Sequence, residues 1–229
     1  MKPDPAHDES DRLLLALAHD ARAHLRRSLT GVQIVDRAAA GRLTSEQHEQ
    51  LAGVIAANKA LEQLFGRLSD FANANRGLPG KALPLQAALA GLHLRFPVCE
   101  LRVGEVPEEW AGVMVPPAIP RAIEELIENA LLFSGQAPVE ITAAAGEATG
   151  AVPPGCIEVC VRDHGPGLDE QERTAAFEPL RRFHSRDRFP GAGLGLAICR
   201  RLARSAGASV RLEPAEGGGL AAILTLSAG

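Results

Sequence analysis

The sequence predicts two architectures in tandem: a helical hairpin that pairs with a second copy into a dimeric four-helix bundle, followed by an α/β sandwich. Three observations carry that expectation. Apolar residues recur in steps of four and three over residues 11–37 and again over 51–72. A stretch rich in Gly, Pro and Asn, "NANRGLPGKALP" at residues 73–84, then ends the pattern. Beyond it, short apolar or alternating runs are interleaved with helical segments.

In the first helix the stripe is Leu14, Ala18, Ala21, Leu25, Ser28, Val32 and Val35, the period of a helix packed in a bundle. Gly41 supplies a C-terminal stop, and Thr44 with Gln47 forms a capping box for the next helix. Its stripe runs Val54, Asn58, Leu61, Phe65, Leu68 and Ala72, so the two helices form an antiparallel hairpin. Two helices leave much of their seams uncovered, and a symmetric second copy covers them, which predicts a homodimer. The boundary stretch places a first domain at 1–75 and a second at 76–229. In the second, "CELRV", "AGVMV", "PVEITA", "CIEVCVR", "SVRLEP" and "LAAILTLS" read as strands, and 118–133 and 192–206 as helices. That order suggests helices layered on one face of a sheet.

Composition narrows the function classes. The 229 residues are 46% hydrophobic and 23% charged, an ordinary soluble balance. A net charge of -4 provides no basic field for nucleic acid. No apolar run approaches the ~18 residues of a membrane helix, and "MKPDPAHDES" lacks a signal-peptide core, so the expected location is cytoplasmic, with no membrane contact. Cys99, Cys156, Cys160 and Cys199 form no CxxC pair and read as small hydrophobes in a reducing compartment.

Four short motifs follow one another in the second domain. "IEELIENALLFSG" sets Glu125 and Asn129 four apart on one helical face, where oxygen ligands can serve a hydrated Mg²⁺ bound to substrate phosphates; by itself the pair reads first as the polar face of an amphipathic helix. "VRDHGPG" ends a strand on Asp163, whose carboxylate can accept from an exocyclic amino group, while Gly165 and Gly167 admit close backbone approach or simply make a turn. "FEPLRRF" begins at Phe177. In "GAGLGLAICR", Gly191, Gly193 and Gly195 open into a helix whose free N–H groups suit phosphate, although such a run also serves as plain punctuation. It is neither a GxGxxG fingerprint, since Leu196 stands where the last glycine belongs, nor a Walker loop. Between Phe177 and Gly191, Arg181, Arg182, His184, Arg186 and Arg188 make a basic stretch able to close over triphosphate oxygens, or a solvated loop.

The order of these motifs resembles the ATP-binding (GHKL or Bergerat-type) domain of sensor histidine kinases, in the superfamily shared with gyrase and the heat-shock chaperone ATPases. Within that frame, residues 1–75 resemble the dimerisation and histidine-phosphotransfer hairpin. The resemblance implies that Asn129 binds Mg²⁺, that Asp163 reads the adenine amino group, and that Gly165 and Gly167 line its pocket. It also implies that Gly193 and Gly195 hold the phosphate lid with Phe177 beneath it, and that Gly191 belongs to the same nucleotide-binding set. His19, in "AHDARAHL", stands at the phosphoacceptor position, with Asp20 as orienting base. It points off the predicted seam, where a solvated imidazole is largely unprotonated at neutral pH and nucleophilic. Glu125, at a place where the chaperone ATPases use a glutamate to activate water, is a candidate for proton handling.

The implied activity is autophosphorylation of His19 from ATP and Mg²⁺, then transfer to an aspartate of a response-regulator receiver domain. The alternative is a catalytically weak or degenerate nucleotide-binding scaffold. Input would come from a separate sensor protein or a sensor domain missing from this chain. The sequence departs from the family pattern at His24, where a helix-bending proline is usual; at Ala23, where phosphatase-competent relatives carry Thr or Asn; and at Leu132, where a lysine often contacts phosphate.

Overall fold

The computed structural model describes residues 5–39, 41–96, 101–103, 106–135, 137–145, 155–185 and 188–227. Contacts divide the chain into two compact units, Met1–Asn73 and Ala74–Gly229.

The first unit is a helical hairpin of α1 (Pro5–Ala38) and α2 (Ser45–Asn73), packed along their lengths. α1 starts six residues before the expected Asp11. Proline is tolerated in a first helical turn, and an i,i+4 pair at 2.6 Å between Asp8 and Arg12 supports the added turn. The capping box forms as read: Thr44 N–H donates to Gln47 Oε1 at 2.9 Å, and Gln47 N–H to Thr44 Oγ1 at 3.3 Å. The seam is only partly as predicted. Leu14, Ala18, Ala21 and Leu25 lie on the packed side, but it then continues through Leu29, Val32 and Asp36, leaving Ser28 and Val35 exposed. On α2 the packed side is Leu51, Ile55, Asn58, Glu62 and Phe65, with Val54 and Leu61 exposed. A straight helix turns every 3.6 residues and drifts about 20° per heptad from a 3.5 repeat, so a strict heptad stripe slides off a single neighbour. The exposed Leu13, Leu17, Ile34, Val35, Val54 and Leu61 are apolar side chains that one hairpin does not cover.

The second unit opens with a 3₁₀ turn, Ala74–Arg76, at the start of the stretch read as a linker. That turn packs on a helix of the second unit, α8 (Gly195–Ser205), which is why the division falls directly after α2. β1 (Leu83–Pro84) pairs antiparallel with β3 (Met114–Val115) in a small separate sheet. The "AGVMV" run is therefore a two-residue strand outside the main sheet: its first residue ends α5 (Glu108–Ala111), and Pro116 and Pro117 stop it. Two short helices, α3 (Leu85–Ala90) and α4 (Leu92–Arg95), precede β2 (Leu101–Val103). The remaining elements are α6 (Ala118–Ser134), β4 (Val139–Ala145), β5 (Cys156–Arg162), α7 (Glu170–Ala175), β6 (Ser209–Pro214) and β7 (Leu220–Ser227).

The main sheet has the order β2-β4-β5-β7-β6, antiparallel except for β2 beside β4. Alternation decides which face is covered. Val139 and Ile141 on β4, Ile157, Val159 and Val161 on β5, and Leu224 and Leu226 on β7 are buried. α6 adds Ile119, Ile123, Leu126 and Ile127, and α8 adds Ile198 and Leu202. α6 and α8 pack on each other, and both meet strands of the sheet, giving a two-layer sandwich. Each fully buried Leu or Ile contributes about 1.5–3 kcal/mol of transfer free energy, so this layer outweighs local propensity in setting the fold. Thr225, Glu158, Arg211 and Glu213 make a hydrogen-bonded ladder across β7, β5 and β6. The thiol of Cys199 is buried, and burial pushes its ionisation far up, making it an inert core residue; Cys99 lies outside the described residues.

Candidate functional site

α6 carries the first motif. Arg121 reaches along the helix to Glu125 at 2.5 Å and Glu124 at 2.9 Å, with Glu128 at 3.6 Å. The Glu125 side chain is 0% exposed, so its carboxylate faces a guanidinium and not solvent. Asn129, one turn on, is half-buried, and Leu132 and Phe133 follow on the same face at i+3 and i+4.

The second motif closes the end of β5. Asp163 is 4% exposed, and its Oδ1 accepts from Gly165 N–H at 2.8 Å and Leu220 N–H at 3.1 Å. Burial pushes its carboxyl above the usual carboxylate range, while the two backbone donors pull it down. Asp163 N–H donates to Leu220 O at 2.9 Å, so the turn is stitched to the start of β7 by both backbone and side chain. The glycines fit crowded places. A Cβ on Gly165 would lie 2.9 Å from Phe133 Cβ, and Gly167, at φ +70°, has Gly219 O at 3.1 Å from the same position. His164 N–H donates to Ser134 Oγ at 3.3 Å, tying the turn to the end of α6.

Past the turn, α7 begins at an Asp169–Glu172 capping box, and Phe177 follows. Phe177 is buried under Arg200 of α8, whose guanidinium lies 5.2 Å from the ring centroid and donates to Phe177 O at 3.0 Å. Leu180, at φ 65°, donates its N–H to Gly193 O at 2.8 Å, and a Cβ on Gly193 (φ +69°) would meet Arg181 O at 2.6 Å. Glycine is required there by both space and dihedral. Gly195 is the first residue of α8, and no side chain caps that end, so its first N–H groups are available to an anion. Arg182 donates to the carbonyls of Gly191 and Phe189, Arg181 sits 4.0 Å from Glu178, and Arg188 stacks on Phe189. Arg186 lies outside the described residues.

Asn129 lies in the C-terminal half of α6, where Phe133 meets Gly165, two residues from Asp163, and Leu132 meets Gly191; Gly193 is held by Leu180, and Gly195 opens α8. Phe177 sits beside α8. His19 and Asp20 belong to the first unit, where His19 Nδ1 lies 3.2 Å from Asp20 Oδ1 and both side chains are 79% exposed. Among the described residues, no group of three or more His, Cys, Asp or Glu is placed to hold a metal ion.

Sequence reasoning missed four features. Among the described residues, Gly219 is the most constrained glycine: at φ +92°, an added Cβ would overlap the Asp163 carbonyl oxygen. The "GGG" before β7 was its available signal. Phe133, His184 and Phe189 form a cluster of rings and Ser134 ties down the turn, contacts between segments that no local pattern reports; Arg121 holds Glu125 one turn along α6, an i,i+4 pairing that helix spacing signals.

Residues 114–229 match the family model of the histidine kinase-, DNA gyrase B- and HSP90-like ATPases. Among curated relatives, the signal transduction histidine-protein kinase/phosphatase MprB of Mycolicibacterium paratuberculosis is 27% identical over 93% of this chain and 41% of its own length. The sensor histidine kinase GtrS of Pseudomonas aeruginosa is 35% identical over 54% of this chain and 24% of its length. The chain therefore spans less than half of these relatives. The crystal structure of full-length ShkA in complex with AMPPNP superposes with a TM-score of 0.66 at 22% identity, covering 95% of this chain and 47% of that one, and so shares its fold. No helix among the described residues is long and apolar enough to cross a membrane.

Proposed function

Because this chain belongs to the histidine kinase-, DNA gyrase B- and HSP90-like ATPase family, we propose that it is a protein-histidine kinase that moves the γ-phosphoryl group of ATP to His19 and then to a receiver-domain aspartate. One observation carries the reading. A buried acceptor, Asp163, and a helix N-terminus at Gly195 without a side-chain cap belong to the unit that carries Asn129, and the same chain presents an exposed His19 beside an acid.

In this reading Asp163 Oδ2 accepts from the adenine amino group, while Oδ1 is held by Gly165 and Leu220. The N–H groups at the start of α8 receive phosphate oxygens. Asn129 would hold Mg²⁺, which when bound neutralises charge on the transferring phosphoryl group. With its ring proton on Nδ1 shared with Asp20, His19 presents the Nε2 lone pair for in-line attack; the bond to phosphorus forms as the bond to the β,γ-bridging oxygen breaks and ADP leaves. The apolar side chains left exposed on the hairpin support a homodimer, in which a second hairpin covers them. Glu125, bound to Arg121, is assigned here to holding α6 rather than to proton transfer.

The test is incubation with γ-labelled ATP and Mg²⁺, comparing the unsubstituted chain with His19→Ala and Asn129→Ala. An acid-labile label on the chain, absent from both variants, is the expected result. Nucleotide binding without any label overturns the kinase reading in favour of a scaffold.

A further inference from the structure

The turn that carries Asp163 is fixed on two sides. Toward β7, Asp163 N–H donates to Leu220 O at 2.9 Å and Leu220 N–H donates to Asp163 Oδ1 at 3.1 Å. Those bonds hold the carboxylate against the sheet and do not by themselves set its distance from α6. Toward α6 the turn comes very close. A Cβ on Gly165 would lie 2.9 Å from Phe133 Cβ and 3.0 Å from Phe133 O, so glycine lets the turn settle on the end of the helix. The polar group across that contact is Ser134, the final residue of α6, which is 9% exposed and whose Oγ accepts from His164 N–H at 3.3 Å. Ser134 lies five residues beyond Asn129, about 7.5 Å along the helix axis. One helix therefore carries the candidate metal ligand and, through a hydroxyl, the spacing to the candidate base-reading carboxylate.

We propose that Ser134 is a positioning residue for base selection: its hydroxyl holds the turn at the distance from α6 at which Asp163 accepts from the adenine amino group. This rests on the nucleotide-site reading above. A hydrogen bond weakens steeply once its length and angle leave a narrow range, whereas apolar contact with a purine ring is non-directional and tolerates small displacements. A turn released from α6 therefore loses the amino contact first, while the other contacts of the ring persist. The bonds between Asp163 and Leu220 involve no atom of Ser134, so the turn stays on the sheet when that hydroxyl is removed.

The experiment is calorimetric titration of the unsubstituted chain, Ser134→Ala and Ser134→Thr with Mg²⁺ and either ADP or inosine diphosphate, which carries an oxygen in place of the adenine amino group. The unsubstituted chain is expected to prefer ADP by about tenfold or more, because a carboxylate accepts from the amino group and finds no donor in the oxygen. Ser134→Ala should bind ADP about fivefold more weakly, the worth of one neutral hydrogen bond, and inosine diphosphate within about twofold of the unsubstituted chain. Ser134→Thr keeps the hydroxyl and should keep the preference. That preference is a ratio taken within one protein, so a smaller folded fraction in a variant cancels from it. A preference that Ser134→Ala leaves unchanged, whether both affinities fall together or neither does, overturns the proposal. A Ser134→Thr chain that loses the preference as Ser134→Ala does overturns it as well. An unsubstituted chain that binds the two nucleotides equally, or binds neither, removes the Asp163 reading itself, an outcome distinct from a preference that Ser134 fails to control.

Discussion

Gly219→Ala tests the stitching of Asp163 most directly. The added methyl would overlap the Asp163 carbonyl oxygen and stand 2.8 Å from its carbon and 2.9 Å from His164 Cα, all backbone atoms. Carbon contacts settle near 3.5–4.0 Å, so the turn and the start of β7 must separate by about 1 Å. That separation breaks the Asp163 N–H to Leu220 O bond and the Leu220 N–H to Asp163 Oδ1 bond, worth about 1 kcal/mol and about 2 kcal/mol respectively. A left-handed alanine adds about 1 kcal/mol of strain, for a total near 4 kcal/mol. Gly218→Ala is the internal control: its φ of +102° is just as unsuited to alanine, but its Cβ position has nothing within 4 Å, so the expected loss is about 1 kcal/mol. Trp110, the only tryptophan and buried in the second unit, reports that unit's unfolding in urea by its fluorescence. ADP affinity is measured in parallel, and the displaced carboxylate should lower it by about a hundredfold in Gly219→Ala. If Gly219→Ala unfolds at the same urea concentration as Gly218→Ala and binds ADP within twofold of the parent, the crowding at Asp163 is not what holds this site.

Three further perturbations follow from other contacts. Acidification should weaken ADP binding, because protonated Asp163 loses an acceptor; since burial raises its ionisation, the loss begins above the ~3.9 of an ordinary aspartate, and Asp163→Asn should show weak binding that no longer changes over that range. Arg121→Ala removes the guanidinium 2.5 Å from the buried Glu125 carboxylate and should cost about 3 kcal/mol in the same urea assay, while the double variant with Glu125→Leu recovers most of it; no recovery would show that the pair is not the cause. Glu158 is held below the usual carboxylate range by its hydrogen bonds to Arg211, so its contribution is present above the unfolded value near 4.3 and disappears as pH falls through the lower folded value. Glu158→Gln should therefore cost about 1 kcal/mol at pH 7 and converge with the parent in acid; a constant gap at every pH would refute the assignment.

Much of the fold was legible because it rests on local regularities. Helical periodicity placed α1, α2 and α6, a capping box placed the start of α2, and alternation placed β4 to β7, since side chains repeat every 3.6 residues on a helix and every two on a strand. The ordered glycines and Asp163 mark a candidate phosphate-accepting helix end and a candidate strand-end acceptor. What the sequence by itself determined about this protein is thus its two-part organisation and the residue types its candidate site can draw on.

Tertiary structure alone decided the rest. Whether Val35 or Asp36 faces the neighbouring helix depends on drift accumulated over a long straight hairpin, to which a seven-residue template is blind. The "AGVMV" run had strand character but lacked a place in the main sheet. Gly219 reads as one of three glycines until the Asp163 carbonyl is found against it. Phe133, His184 and Phe189 come from two segments and meet only after α6 is laid on the sheet. The physical reason is common to these cases: periodicity and turn chemistry act over a few residues and are written locally, whereas burial, charge pairing and steric exclusion depend on which distant segment packing brings alongside.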